Sequence, residues 1–216
     1  MKYDTVIFDL DGTLLDTLDD LTASVNFTMK YMGWNEYTRD DVRRFVGNGI
    51  KKLIERCVPE GTKDEDFNIA FDKFKEHYAL HSLDNTKPYP GVVLLMRRLK
   101  EKGLKIAIVS NKIDSAVAVL KEKFFDGLVD IAIGDRPDLR VKPAPDSCNM
   151  ALEFMKSDKK TSVYVGDSDV DIQTARNAGL DCISVLWGFR DKDFLISHGA
   201  TCFAENAYDV EKEIMG

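Results

Sequence analysis

Residues 6–17 read VIFDLDGTLLDT. Val6, Ile7 and Phe8 have the character of a buried strand. Then two carboxylates arrive two residues apart, Asp9 and Asp11, followed at once by Gly12 and Thr13. A carboxylate at the end of an apolar strand is costly to bury unless something pairs with it. The stretch is therefore either an ordinary polar turn after a strand or a place where chemistry is done, and the choice depends on what the rest of the chain brings to it.

Working outward, the chain changes character twice. From about Asp16 to about Asn85 the pattern is helical: Leu18, Leu21, Val25, Met29 and Met32 fall on one face of LDDLTASVNFTMKYM. DDVRRFV, IKKLIERC and DEDFNIAFDKFKEHYAL continue as helices, punctuated by Gly33, Gly47, Gly49 and Gly61. From Tyr89 onward helices and apolar strands alternate: PGVVLLMRRLKEKG, KIAIVSN, AVAVLKEKF, LVDIAIG, DSCNMALEFM, SVYVGD, DIQTARNAG, CISVLW and a C-terminal helix pair. Such alternation predicts an α/β fold with a parallel sheet covered on both faces. VIFD is its first strand, separated from the others by the helical insert. The expected division is a catalytic core of residues 1–15 and 87–216 with a helical cap of 16–86.

Strand ends gather the polar residues. VIFDLDGT carries Asp9 and Asp11, KIAIVSNK carries Ser110 and Asn111, SVYVGDSDVDI carries Asp167 and Asp171, and Lys142 of RVKPAPD follows another strand. In open parallel sheets ligands bind beyond the carboxyl ends of strands, so these groups are expected to converge. Taken singly, each has a plain structural reading as a turn, a helix cap or a surface charge; together they point to one site. Crowded carboxylates repel unless a cation sits among them, and hard oxygen ligands suit magnesium. A divalent ion among carboxylates suits a phosphate ester: Asp9 to attack phosphorus, Asp11 to give and take the proton, Ser110 and Asn111 to hold phosphoryl oxygens, Lys142 to neutralise charge. Asp167 would bind the metal directly and Asp171 through water, the two sharing one face of a helix start.

The whole-chain numbers agree. With 216 residues, 44% of them hydrophobic and 31% charged, the chain has the composition of a soluble globular protein with a sizeable core. A net charge of -7 argues against nucleic acid or an anionic membrane as main partner. No 18-residue apolar run suggests a membrane span, and MKYDTVIFD lacks the features of a signal peptide, so a cytoplasmic address is expected. Cys57, Cys148, Cys182 and Cys202 show no metal-ligand spacing and read as reduced core residues. The expected partner is a small phosphorylated metabolite, with the chain a monomer or homodimer.

Over essentially its whole length the chain resembles the haloacid dehalogenase superfamily of phosphohydrolases. FDLDGTLLDT, VSN, the lysine of VKPAPD and GDSDVDIQTARNAG are similar to its four motifs in order. The resemblance implies a Rossmann-like core with an inserted α-helical cap, Asp9 as nucleophile, Asp11 as general acid/base, and magnesium held by Asp9, the Asp11 backbone carbonyl and Asp167. It disfavours a carbon–halogen substrate, because dehalogenases of the superfamily lack an acid at the position of Asp11.

Further details are similar to phosphoglycolate phosphatases: RRFVGNGIKKLIER, TKPYPGV, Lys112 after the asparagine, and LWGF. This makes 2-phosphoglycolate the expected substrate. Gly47, Asn48 and Gly49 would let backbone N–H groups approach a small anion, with Arg43 or Arg44 nearby. Ile113, where those enzymes usually carry proline, and the loop DRPDLRVKP depart from their pattern, leaving pyrophosphatase and sugar-phosphate phosphatase as alternatives. A phosphomutase of the β-phosphoglucomutase type shares Asp11. A receiver module using Asp9 as phospho-acceptor would need neither Asp11 nor the insert.

Overall fold

The structure, a computed structural model, describes residues 1–216. They form two compact units, one of Met1–Leu15 with Pro88–Gly216 and one of Asp16–Lys87.

The first unit is built on β1 (Thr5–Phe8), and the chain then enters β2 (Leu15–Asp16) and the helices α1 (Leu18–Tyr31), α2 (Arg39–Phe45), α3 (Gly49–Cys57) and α4 (Asp64–His81). It returns through β3 (Lys87–Pro88) to α5 (Val92–Glu101), β4 (Lys105–Ile113), α6 (Asp114–Phe125), β5 (Ile131–Asp135) and α7 (Asp146–Met155). A short 3-10 turn precedes β6 (Ser162–Gly166), α8 (Asp169–Ala178), β7 (Asp181–Val185), α9 (Lys192–Ser197), β8 (Phe203–Ala204) and α10 (Ala207–Met215). Helix–strand alternation from Tyr89 onward is as the sequence predicts, with β8 an addition.

The sheet runs β5-β4-β1-β6-β7-β8, every pair parallel. β1 and β6 are buried throughout, which explains why Val6–Phe8 and Val163–Val165 are continuous apolar runs rather than alternating ones. One face packs Ile7, Ala107, Val109, Ile133 and Tyr164 against Cys148, Ala151 and Leu152 of α7 and Ala175 of α8. Each large apolar side chain removed from water contributes roughly 1.5–3 kcal/mol.

Chain order matters for function. The chain starts in the middle strand, moves outward through β4 and β5, then crosses back to β6, so the strands on either side of β1 are entered from opposite directions. Such a reversal opens a crevice beyond the strand ends. Phe8 pairs with Ile108 on one side and Val165 on the other. Asp9, Ser110 and Asp167, which follow these residues, therefore leave the sheet at nearly the same level.

The second unit is all helical apart from the ends of β2 and β3. Its core joins Leu21, Val25 and Met29 of α1 to Ala70, Phe74 and Tyr78 of α4. Leu18 is buried with them, while Met32 lies just past the helix end and is only partly covered. Thr38 and Asp41 form a reciprocal capping box that starts α2. The Asp20 carboxylate, 1% exposed, accepts hydrogen bonds from the backbone N–H of Asn85 and Thr86 and from both their side chains at 2.8–3.1 Å.

All four cysteines are free, Cys57 and Cys148 fully buried, Cys182 and Cys202 partly so. No helix is long and apolar enough to cross a membrane.

Candidate active site

β1 ends at Phe8 because the next side chain is Asp9, which turns from the sheet into the crevice and is 6% exposed. Its Oδ1 accepts a hydrogen bond from Lys142 Nζ at 2.6 Å. Lys142 lies in the loop between β5 and α7, 5% exposed, and its ammonium has two further acceptors: Asp171 Oδ1 at 2.8 Å and Tyr164 Oη at 3.0 Å. Three acceptors match the three N–H bonds of an ammonium.

What carries Lys142 there is Asn111. Its Oδ1 accepts from the Lys142 backbone N–H at 2.8 Å, and its Nδ2 donates to the Lys142 carbonyl at 3.1 Å. Both ends of the amide are thus engaged with the backbone of one residue. The Asn111 side chain fixes the lysine loop. Ser110 Oγ accepts from the Lys112 backbone N–H at 3.2 Å.

Asp167 and Asp171 meet differently from the helix-face stacking expected of residues four apart. Asp167 precedes α8, Ser168 is its N-cap, and Asp171 is the third residue of a capping box. Asp171 Oδ2 folds back to accept from the N–H groups of Asp167 and Ser168 and from Ser168 Oγ. Its Oδ1 takes Lys142 and the Tyr164 hydroxyl, the latter at 3.1 Å. Both oxygens of Asp171 are therefore satisfied by protein donors.

Asp167 is gripped from two sides. Thr13 Oγ1 donates to Oδ1 at 3.2 Å and the Phe189 backbone N–H donates to Oδ2 at 2.7 Å. Trp187 Nε1 donates to the Thr13 carbonyl at 3.0 Å, tying the two loops together. The glycines here are steric requirements. A Cβ on Gly12, whose φ is +90°, would lie 2.5 Å from Asp167 Oδ2, and one on Gly166 would lie 2.3 Å from the Asp171 Cβ.

Ligand oxygens of Asp9, Asp167 and Asp171 lie within 4.8 Å of one another, all three residues buried. Three carboxylates face one ammonium, and the titration behaviour reflects that deficit of positive charge. Burial, then the charge of Asp171, pushes the Asp9 carboxyl well up despite the opposing Lys142. Burial and Asp171 push Asp167 up to about 7, against the hydrogen bonds from Phe189 and Thr13. Burial works against the charge on Lys142, yet Asp171 and Asp9 outweigh it and its pKa is raised. A divalent cation relieves such a cluster, and an all-oxygen donor set fits magnesium. Asp9, Asp167 and Asp171 are the grouped carboxylates; each oxygen of Asp167 accepts one hydrogen bond, where those of Asp171 accept two and three.

Asp11 stands apart from this cluster. Its Oδ1 accepts from Lys112 Nζ at 3.1 Å, and its side chain is 20% exposed against 5% for the lysine. One carboxylate thus faces the cation cluster while the other faces outward beside its own lysine.

Arg43, Gly47, Asn48 and Gly49 lie in the helical unit, at α2, the connection after it and the start of α3. Gly47 and Gly49 have φ of 146° and 81°. Arg56 organises this segment, donating to the Phe45 carbonyl and, at 2.7 Å, to Asn48 Oδ1. Arg44 pairs with Asp41.

Sequence reasoning missed Tyr164, which reads as one more apolar residue of SVYV, and the N–H of Phe189, since no side-chain pattern announces a backbone donor. It also missed Arg56, whose partner is a loop carbonyl.

Residues 6–185 match the family described as haloacid dehalogenase-like hydrolase. The chain is 32% identical over 189 residues to a phosphoglycolate phosphatase of Aquifex aeolicus, covering 85% of each. It is 30% identical over 196 residues to the pyrophosphatase PpaX of Bacillus mycoides, covering 90% of this chain and 89% of that one. A crystal structure of a candidate phosphoglycolate phosphatase from Lactobacillus delbrueckii subsp. bulgaricus superposes with a TM-score of 0.95 at 38% identity, covering 99% of each chain.

Proposed function

The chain belongs to the haloacid dehalogenase-like hydrolases and is a phosphatase resembling the phosphoglycolate phosphatases; on that premise we propose that it hydrolyses a small phosphomonoester, 2-phosphoglycolate foremost, with magnesium and through an aspartyl-phosphate on Asp9. The observation that carries this reading is the Lys142 ammonium 2.6 Å from Asp9 Oδ1, beside two further buried carboxylates.

Asp9 attacks phosphorus in line with the leaving oxygen, forming the acyl phosphate as the ester bond breaks. Lys142 opposes the upward push on the Asp9 carboxyl and aims it, and Asn111 keeps Lys142 in place. Asp11 gives its proton to the departing oxygen, then takes one from the water that attacks phosphorus and frees both phosphate and Asp9. Ser110 donates to a phosphoryl oxygen. Asp9, Asp167 and the Asp11 backbone carbonyl, with Asp171 through water, would hold magnesium, which would supply positive charge to offset the crowding of carboxylate and phosphoryl oxygens. Arg43 and the Gly47–Gly49 segment belong to this reading as further substrate contacts.

A second reading, cleavage of pyrophosphate by the same residues, is favoured by the 30% identity to a pyrophosphatase. Initial rates with magnesium across phosphate esters and pyrophosphate separate the two. Phosphoglycolate turning over no faster than the other esters overturns the substrate assignment. Acid quenching followed by borohydride reduction should label Asp9 in the wild type and not in Asp9→Asn; failure to trap phosphate on Asp9 overturns the covalent route.

A further inference from the structure

Two buried lysines flank the Asp9–Asp11 pair, Lys142 at Asp9 and Lys112 at Asp11. Lys142 donates to Asp9, Asp171 and Tyr164. Lys112 is on β4, two residues beyond Ser110, and reaches Asp11 at 3.1 Å. It is 6% exposed, an expensive setting for an ammonium unless an anion is close. Since Asp11 serves the leaving oxygen in the reading above, Lys112 stands where the substituent carried by that oxygen must lie.

We propose that Lys112 is a specificity-determining residue that binds an anionic group on the leaving group, close to the bridging oxygen. The inference rests on the phosphatase reading and narrows its substrate class. In 2-phosphoglycolate the carboxylate carbon is two bonds from the bridging oxygen, so an oxygen held by Asp11 brings its carboxylate to the Lys112 ammonium. The terminal oxygens of the departing phosphate in pyrophosphate lie equally near. A neutral alcohol of the same length offers the ammonium no anion. Ser110 Oγ, accepting from the Lys112 N–H, fixes the backbone from which this side chain extends. One short segment thus supplies a phosphoryl contact and a leaving-group contact.

The test measures kcat and KM for 2-phosphoglycolate, pyrophosphate and 2-hydroxyethyl phosphate with wild type, Lys112→Met and Lys112→Arg. A charge-assisted hydrogen bond to substrate corresponds to a loss of about 10–100-fold in kcat/KM. We expect that loss in Lys112→Met for an anionic leaving group, mostly as raised KM, and less than about 3-fold for 2-hydroxyethyl phosphate. Lys112→Arg should restore part of the preference. A loss confined to phosphoglycolate assigns the carboxylate as ligand, and one confined to pyrophosphate assigns the phosphate; either supports the proposal. Equal losses on all three substrates, as expected of a residue that only holds Asp11, overturn it, as does no loss on any. Lys112→Gln replaces Lys112→Met if thermal melts show the latter unfolded. A wild type that hydrolyses none of the three overturns the phosphatase reading itself, a different outcome from unchanged ratios in an active enzyme.

Discussion

A Cβ built on Gly188 would lie 2.3 Å from the Cβ of Asp167 and 2.5 Å from its Oδ2, the same oxygen that accepts the Phe189 backbone N–H at 2.7 Å. The loop after β7 therefore presses its backbone against the carboxylate, and only a residue without a side chain permits the approach. Removing that freedom displaces Asp167 without changing any charged group. Gly188→Ala should lower magnesium affinity by about 10–100-fold, the usual penalty for disturbing the partners of a ligand. The metal dependence of the rate and of Tm measures it; unchanged affinity would mean the loop does not set the Asp167 geometry.

Asp9 and Asp11 are chemically the same side chain in different surroundings, and their removal should differ accordingly. Asp9→Asn loses the nucleophile and should reduce turnover by about 10⁴-fold or more with every substrate. Asp11→Asn should cost about 10²–10⁴-fold with an alkyl phosphate, whose leaving oxygen needs a proton. With p-nitrophenyl phosphate the cost should be smaller, because nitrophenolate departs without one. Equal penalties on both substrates would remove Asp11 from the proton-donor role.

In the helical unit, Asp20 binds Asn85 and Thr86 from 65 and 66 residues away. Asp20→Ala leaves the buried Thr86 N–H and hydroxyl without their acceptor, at a cost of about 3 kcal/mol. A Tm lower by about 2–4 °C per kcal/mol is expected for a chain of this size. Asp20→Asn, which keeps one acceptor oxygen, should lose less, and an unshifted melt for Asp20→Ala would contradict the structural role.

His77 stacks on Phe27 and His81, with ring centroids 4.1 and 4.3 Å apart, and its Nδ1 lies 2.9 Å from Ser24 Oγ. Burial, then the neighbouring His81, lowers its pKa from 6.5, while Asp84 opposes the shift. A histidine with a lowered pKa takes up its proton more readily when unfolded. Its contribution to stability is therefore present above about 6.5 and is lost as pH falls through that value toward the folded one. Melts between about pH 7.5 and pH 5 should show a decline that His77→Gln flattens; parallel profiles for the two proteins would exclude His77 as the source.

Legibility followed the range of the interactions. The alternation of helices and strands could be read because a strand covered on both faces must be apolar through its centre, and Val6–Phe8 and Val163–Val165 are. The helical insert could be read because α1 repeats Leu21, Val25 and Met29 at a spacing that only a helix turns to one side. β8, two residues long, carries no such period. Asp167 and Asp171 do not share a helix face because Ser168 stands between them as the N-cap of α8 and pairs with Asp171 in a capping box. The Asn111 clamp on the Lys142 peptide joins residues 31 positions apart and uses backbone atoms, which every residue has and no motif displays.

By itself the sequence determined which chemical groups the chain owns, their order, and the alternating elements at whose ends they stand, since local periodicity and side-chain chemistry are written residue by residue. Tertiary structure alone decided the pairings: Lys142 with Asp9, 133 positions earlier, Lys112 with Asp11, and the Phe189 N–H with Asp167. The physical reason is that the strand order β5-β4-β1-β6-β7 brings these strand ends together, and strand order is a property of how whole elements pack, which no stretch of neighbouring residues encodes.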